Sequence, residues 1–223
     1  MLAIGLMSGT SRDGIDAALI ETDGDGLVKP VAFHAQAYQD GFRVRLAEAC
    51  ARAMTMDAPG FEPLIASVEA ELTELHVEAV ADLLGRSGHV AEDVGVIGFH
   101  GHTVAHRPDR RWTWQIGDGA ALAGAFGIAV VGDLRSADVA AGGQGAPLLP
   151  VYHRALAAGL EKPVAILNLG GVANITAIGS DGALTAFDTG MASGLIDNWM
   201  QAHGDLAYDA GGACAAQGRV DEA

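Results

Sequence analysis

Short apolar stretches alternate with polar, glycine-containing turns along this chain. The first stretch, LAIGLM, is followed by the turn SGTSRDG and then by the apolar stretch IDAALIE. Two short apolar stretches around such a turn predict a strand, a tight turn and a second strand. Residues 164–190 repeat this order, with a Gly-Gly turn between two strands and a third strand, ALTAFD, after them. This weak internal repeat predicts two lobes that each begin with a hairpin whose turn is rich in glycine.

The region between the two hairpins contains both helical and extended patterns. Segments 42–56 and 62–87 have helical periodicity, and in the second segment apolar side chains recur on one face. That face comprises Leu64, Val68, Leu72, His76, Ala79 and Leu83. Residues 118–126 predict a short helix. Three further apolar segments predict strands, at 94–101, 112–117 and 127–133. Strands that alternate with helices indicate an α/β fold with mixed sheets.

The glycine-rich segment AAGGQGAP, at residues 140–147, is the predicted boundary between the lobes. The first lobe then spans residues 1–140, and residues 141–223 begin the second lobe. Two lobes that each carry a glycine turn are suited to hold a polyphosphate from both sides.

Composition and net charge limit the kinds of molecule that the protein is expected to bind. Half of the 223 residues are hydrophobic and 18% are charged, as expected for a globular protein with a core. The formal net charge of −15 disfavours nucleic acid and anionic membranes as partners. It does not exclude a phosphate ligand, because backbone amides and a divalent cation can offset the charge locally.

Cysteine usage and the distribution of apolar residues predict a soluble, cytoplasmic protein. The two cysteines, Cys50 and Cys214, are far apart and lack metal-ligand spacing. This pattern favours a reducing compartment over a disulfide framework. The first apolar stretch has no preceding basic residues and is too short for a signal-peptide core. No run approaches the roughly 20 apolar residues that cross a bilayer.

The opening turn is a candidate anion site. A turn rich in Gly, Ser and Thr leaves backbone N–H groups free to point at one place, where they attract anions. It is not a Walker-type loop, because the Gly-Lys-Ser/Thr ending is absent. Asp13 and Asp16 follow the turn and could hold Mg²⁺ through water. The alternative is a hairpin with a polar tip, in which Asp13 caps the turn.

The segment HGHTVAH contains three histidines, His100, His102 and His106. Their number alone would permit a zinc site and hence a metal-dependent hydrolase. On an extended strand His100 and His102 project to one face, and no acidic or cysteine partner lies nearby in sequence. Polar residues at the end of a buried strand more often line a substrate cleft, which is the preferred interpretation here.

The following glycine-rich loop carries Asp133, Arg135, Asp138 and Gln144. Such a loop either permits a hinge or lets backbone approach a ligand closely. Arg135 could bind a carboxylate ligand as a planar fork, or could pair with Asp133 or Asp138 as a structural tie. The sequence favours neither role.

The segment FDTG, Phe187 to Gly190, provides a candidate general base. Asp188 ends a predicted hydrophobic strand, where a carboxylate can accept a proton from a bound reactant. The next residues, ASGLIDNWMQAHG, predict a helix.

Four of these segments, in this order, resemble the 1,6-anhydro-N-acetylmuramic acid kinases of bacterial cell-wall recycling. The family pattern G-T-S-x-D-G-x-D occurs at Gly9–Asp16, and G-G-Q-G-A-P at Gly142–Pro147. The pattern L-N-x-G-G-x-x-N occurs at Leu167–Asn174, and F-D-x-G at Phe187–Gly190. The resemblance covers essentially the whole chain.

The resemblance implies a two-lobed, ribonuclease-H-like fold of the actin/Hsp70/hexokinase type, with ATP and sugar between the lobes. It implies phosphorylation of O6 with hydrolytic opening of the 1,6-anhydro ring, giving N-acetylmuramic acid 6-phosphate, and ATP and Mg²⁺ as cofactors. Asp188 would be the catalytic base that activates water. The implied ATP phosphate loop comprises Gly9, Thr10, Ser11, Arg12, Asp13, Gly14, Ile15 and Asp16.

The sequence departs from the family in three places. His102 replaces the glutamine of the pattern H-G-Q-T, and Met191, Ala192 and Ser193 replace P-G-N after Gly190. The sequence ends at Ala223, where family members continue through the second lobe. An incomplete second lobe predicts exposed apolar surface and association, with a homodimer as one expected assembly. The alternative function is a non-catalytic fragment that lacks a complete ATP site.

Overall fold

The computed structural model describes residues 1–204, 206 and 208–220. The chain divides into two compact units, Met1–Gly159 and Leu160–Ala223. The strands of the first unit are β1 (Leu2–Ser8), β2 (Gly14–Thr22), β3 (Val28–Ala37), β4 (Val94–Arg107), β5 (Trp112–Ile116) and β6 (Val130–Val131). Its helices are α1 (Asp40–Met54), α2 (Pro63–Ser87), α3 (Gly119–Phe126), α4 (Ser136–Ala141) and α5 (Pro150–Leu156). The second unit contains β7 (Val164–Leu169), β8 (Val172–Ile178), β9 (Leu184–Met191) and α6 (Ser193–Gly204).

The first unit is built on a mixed sheet with the strand order β3-β2-β1-β4-β5, and β6 pairs with β4. Strands β1, β2 and β3 form antiparallel pairs, whereas β4 runs parallel to β1 and to β6. The parallel pair is possible because α1 and α2 provide the long crossover that it needs. The α/β class with a mixed sheet is confirmed for this unit.

Helix α2 supplies much of the core of the first unit. Val68, Leu72, His76, Ala79 and Leu83 are fully buried, as the helical periodicity predicted. The helix begins where the Glu62 side chain accepts a hydrogen bond from the Ile65 N–H, and it ends at Gly88 in the left-handed conformation. Among the described residues, no helix is both long and apolar enough to cross a bilayer.

The second unit has a three-stranded sheet in the order β7-β8-β9, and both pairs are antiparallel. The Gly170–Gly171 turn joins β7 to β8, as the sequence predicted. The Gly171 carbonyl accepts hydrogen bonds from the N–H groups of Ala192 and Gly194, at 3.0 and 3.2 Å. The first glycine turn of this unit therefore holds the start of α6.

One predicted strand differs in length from the observed one, and the predicted lobe boundary is a separate matter. The strand predicted at 127–133 is only two residues long, Val130–Val131. The two compact units divide at Gly159/Leu160. The glycine-rich loop stays with the first unit because Arg135 and Asp138 both hydrogen-bond to the backbone of Gly145. The assignment of lobes at 1–140 and 141–223 stays a prediction.

Gly14 tests how closely β2 and β3 approach each other. A Cβ at this position would lie 2.2 Å from the Gln36 carbonyl oxygen, so Gly14→Ala forces the strands apart. We expect the free energy of unfolding, measured in urea, to fall by about 1–3 kcal/mol.

Gly5→Ala is the matched control, because among the described residues no atom outside its immediate neighbours lies within 4 Å of its Cβ position. Equal losses in the two variants would show that the strand contact at Gly14 does not set the cost.

Candidate functional site

The turn between β1 and β2 is ordered by its own hydrogen bonds. The Arg12 N–H donates to the Gly9 carbonyl at 3.1 Å, and the Ser11 hydroxyl donates to Asp13 Oδ1 at 2.6 Å. Arg12 has a positive φ of 55°. Among the described residues, the exposed N–H groups of Thr10 and Ser11 have no hydrogen-bond acceptor. A fixed turn with free N–H groups is suited to hold an anion.

Tyr38 ties the two sides of this turn together. Its N–H donates to the Asp13 carbonyl at 2.9 Å, and its hydroxyl lies 2.7 Å from Ser8 Oγ. Arg43 adds a third contact, because its Nε donates to the Arg12 carbonyl at 3.1 Å. Burial raises the pKa of the Tyr38 hydroxyl, which therefore stays protonated. The turn is therefore held by Ser8 at the end of β1, by Tyr38 directly after β3 and by Arg43 in α1.

The residues that follow the turn have different environments. The pKa of Asp16 is raised. Partial burial is the larger cause, and the negative charge of Asp13 adds to it. A cation beside Asp16 would favour its charged form. Ile15 is fully buried in the core, so only its backbone is available to a ligand. The predicted loop residues thus include a core side chain as well as polar ones.

His102 lies directly behind the turn. Its Nδ1 is 2.8 Å from Ser8 Oγ, and its Nε2 is 3.7 Å from Cys50 Sγ. Burial and then the charge of Arg12 lower the pKa of His102 to about 4, so the ring is neutral near pH 7. Burial raises the pKa of the Cys50 thiol, although the nearby Arg12 guanidinium opposes this shift.

His100 holds the glycine-rich loop through Arg135. The His100 Nδ1 donates to the Gly101 carbonyl at 2.8 Å, and its Nε2 accepts from Arg135 Nε at 2.9 Å. Arg135 also donates to the Gly145 carbonyl at 2.6 Å, while Asp138 accepts from the Gly145 N–H at 2.7 Å. These hydrogen bonds make Arg135 a structural tie, with a histidine ring and a loop carbonyl as partners.

The three histidines of the HGHTVAH segment each bond to a different protein group. His106 Nδ1 contacts Thr113 Oγ1 at 2.9 Å, so each histidine has its own protein partner. Gly101 interrupts the regular alternation of the strand between His100 and His102 with a φ of 66°. Within the part of the chain that the structure describes, no group of three or more potential ligands could hold a metal ion. The metal-hydrolase hypothesis therefore has no support in this region.

Asp188 lies in the second unit, on β9 opposite Asn174 of β8. The strand continues past Asp188 to Met191, so the prediction that it ends at Asp188 is wrong. Thr189 fixes this part of the strand by donating to the Ala173 carbonyl at 3.2 Å. Asp188 is exposed, and its carboxylate is accessible to water. A carboxylate in this state can serve as a general base.

Comparison with known proteins decides the family. The family model described as anhydro-N-acetylmuramic acid kinase matches residues 1–223. The chain belongs to the anhydro-N-acetylmuramic acid kinase family. The resemblance of the four sequence motifs to this family is therefore confirmed.

Curated relatives in this kinase family are similar over all or nearly all of the chain. A protein of Rhizorhabdus wittichii named anhydro-N-acetylmuramic acid kinase is 65% identical over 224 residues, which cover 100% of this chain and 61% of the relative. A relative of the same name from Zymomonas mobilis is 55% identical, over 99% of this chain and 61% of its own length. The chain thus spans about three fifths of the length of the relatives that it matches.

A solved structure, the type II variant of the Aquifex aeolicus Ppx/GppA phosphatase, aligns with 90% of this chain and 55% of its own length. The TM-score is 0.39 and the sequence identity is 10%.

Sequence reasoning proposed the turn and Asp188 as candidate site residues but did not identify the residues that hold the turn. Tyr38, Arg43 and Cys50 occur in no recognisable motif, and their roles depend on contacts with distant parts of the chain. The one available signal was Tyr38 itself, an aromatic residue between a predicted strand and a predicted helix.

Two buried histidines predict that the fold loses stability in mild acid. Burial lowers the pKa of His76, like that of His102, to about 4, whereas an unfolded histidine takes up its proton near 6.5. Between these values the unfolded state binds more protons, so stability falls as the pH decreases. We expect a loss of about 2 kcal/mol per histidine between pH 7 and pH 5 in urea unfolding.

The variant His76→Leu should remove roughly half of this pH dependence. Its Nε2 has no partner, so the substitution leaves no other described polar group unsatisfied at that nitrogen. An unchanged pH dependence in His76→Leu would contradict the assignment.

Proposed function

We propose that this chain carries the phosphate-binding turn and the catalytic base of an ATP-dependent kinase that acts on 1,6-anhydro-N-acetylmuramic acid. The product would be N-acetylmuramic acid 6-phosphate, as expected for peptidoglycan recycling. The observation that carries the proposal is the match of residues 1–223 to this kinase family. The ordered turn and the exposed Asp188 supply groups of the chemical kind that such a reaction needs.

The residues of the turn fit the phosphate groups of ATP. Free N–H groups at Thr10 and Ser11 suit phosphate oxygens, and the adjacent Arg12 adds a positive charge. Asp13 and Asp16 would hold Mg²⁺ through water, because magnesium retains several waters when it binds few carboxylates. When bound, Mg²⁺ and the phosphates supply charge neutralisation and the transferable phosphoryl group.

Asp188 would act on water. Its carboxylate takes a proton from a water molecule, whose oxygen attacks the anomeric carbon of the sugar. A bond forms between that oxygen and C1, and the bond between C1 and O6 breaks. The released O6 then attacks the terminal phosphorus of ATP, and ADP leaves with the electron pair of the broken phosphoanhydride bond. Opening of the ring and phosphorylation of O6 are thereby coupled.

The cellular setting of the proposal follows from its substrate and the chain's composition. A soluble sugar and ATP are the proposed small-molecule partners, and the cytoplasm is the proposed location. Nucleic acid and membranes are not proposed as partners, because the formal net charge is −15. A homodimer is the proposed assembly.

A second candidate is a non-catalytic fragment. The observation that favours it is the exposure of large apolar side chains on the second unit. These include Leu169, Phe187 and Trp199, which are 67%, 53% and 62% exposed. A fragment of this kind would bind ligand without turnover.

Asp188→Asn tests the proposed base. We would examine it in a chimera in which this chain replaces the matching 224 residues of the Rhizorhabdus wittichii relative. An amide cannot take the proton from water, so kcat for sugar-dependent ADP formation should fall by about 100-fold or more.

Asp181→Asn is the matched control, since Asp181 is an exposed carboxylate in the turn before β9. It should retain its rate, and both variants should keep the melting temperature of the parent. A fully active Asp188→Asn chimera would refute the role of Asp188, and an inactive parent chimera would contradict the proposed function of this chain.

A further inference from the structure

We propose that His102 is a positioning residue that holds the Gly9–Asp13 turn in its phosphate-binding geometry through the hydroxyls of Ser8 and Tyr38. The inference rests on the proposed function of that turn. It adds a residue that does not itself contact phosphate, and it specifies which hydrogen bonds must be present for the turn to bind.

The hydrogen bonds form a continuous chain. Tyr38 Oη lies 2.7 Å from Ser8 Oγ, which lies 2.8 Å from His102 Nδ1. The His102 Nε2 continues the chain to Cys50 Sγ at 3.7 Å. Ser8 and His102 are each 1% exposed and Tyr38 is 6% exposed, so water cannot readily replace a missing partner. Loss of one member leaves a buried polar group unsatisfied.

The hydrogen bonds from Tyr38 through Ser8 and His102 to Cys50 can all be donated in either of two directions. Either Tyr38 donates to Ser8, Ser8 to His102 and His102 to Cys50, or every donation is reversed. In both arrangements the imidazole donates from one nitrogen and accepts at the other, which is the property of the neutral ring. A side-chain amide also pairs one acceptor with donors, so glutamine can take the place of histidine.

An irregularity in β4 places His102 beside Ser8. The parallel pairing of β1 with β4 shifts register between Leu6 and Ser8, and this shift brings Ser8 opposite His102. Gly101 precedes His102 with a φ of 66°, and a Cβ there would lie 2.3 Å from the Ile116 carbonyl oxygen. The backbone therefore allows only glycine at this point without a local shift.

Tyr38 links His102 to the far side of the turn through hydrogen bonds. The His102 ring fixes the Ser8 hydroxyl at the entrance, and the Tyr38 hydroxyl is bonded to the same atom. The Tyr38 N–H then fixes the Asp13 carbonyl at the exit. If the His102 contact is lost, the hydroxyls of Ser8 and Tyr38 must find new partners, and the two sides of the turn lose their common anchor.

The test uses the ¹⁵N-labelled 223-residue chain, with Mg²⁺ and inorganic tripolyphosphate as the probe. NMR gives the Kd for tripolyphosphate and the hydrogen-exchange rates of the Arg12 and Tyr38 amides, which are bonded to Gly9 and Asp13. The Gly127 amide, bonded to Ala123, is the internal reference. The variants are His102→Leu, His102→Gln and Ser8→Ala, with His76→Leu as the buried-histidine control.

We expect His102→Leu and Ser8→Ala to weaken binding by about tenfold, as loss of one buried hydrogen bond would do. Exchange at Arg12 and Tyr38 should accelerate relative to Gly127. His102→Gln should stay within about twofold of the parent in both measurements, because it restores the donor and the acceptor. His76→Leu should change neither. Ser8→Ala keeps the test decisive if His102→Leu does not fold.

Two results would overturn the positioning role. One is parent-like binding and exchange in Ser8→Ala and in any folded His102→Leu. The other is a His102→Gln variant as defective as His102→Leu. Absence of tripolyphosphate binding by the parent chain would instead refute the phosphate role of the turn. The exchange rates would then still decide whether His102 holds the turn.

Discussion

The Gly9–Asp13 turn depends on one residue, because Tyr38 bonds to one side of it through its hydroxyl and to the other side through its N–H. Its hydroxyl contacts Ser8 before the turn and its N–H contacts the Asp13 carbonyl after it. Tyr38 also lies between β3 and α1. Its ring packs edge-on against the ring of Phe42, with 4.8 Å between the ring centroids. One residue thus links the opening hairpin, the third strand and the first helix. An anion site built from backbone amides needs such fixation, since its geometry is that of the backbone itself.

The other half of the first unit uses similar long-range ties. His100 and His102 are separated by Gly101, and each uses its ring to fix a different loop. His102 acts on the opening turn, whereas His100 acts through Arg135 on the backbone of Gly145. Both rings are largely buried, and burial lowers the pKa of each. Two neutral histidines on one strand therefore serve as fixed donors and acceptors rather than as charges.

The sequence predicted those features that are set by local pattern. The hairpin strands, α1, α2 and α6 follow from apolar periodicity, and the glycine turns follow from residue type. Strand β6 is shorter than predicted because a run of apolar residues does not reveal how many of them find a partner strand. The strand through Asp188 is longer for the same reason, since its pairing with β8 continues to Met191.

The contacts that hold the site could not be predicted in this way. Ser8 and His102 are far apart in the chain, and their contact depends on a register shift that no local pattern encodes. The sequence left Arg135 between binding a carboxylate ligand and pairing with Asp133 or Asp138, while the described hydrogen bonds run to a histidine ring and a glycine carbonyl. Motif resemblance singled out the turn and Asp188 as candidate groups, and the tertiary structure identified the residues that hold the turn and the glycine-rich loop.

The most direct test of the account is the fate of water oxygen in the reaction of the chimera. The reaction would be run in ¹⁸O-labelled water with ATP, Mg²⁺ and 1,6-anhydro-N-acetylmuramic acid, and the product analysed by mass spectrometry. The account predicts a sugar phosphate with one heavy oxygen in the sugar and none in the phosphoryl group. Heavy oxygen in released inorganic phosphate, with the anhydro sugar left unopened, would contradict it, because water would then have attacked phosphorus instead of the anomeric carbon.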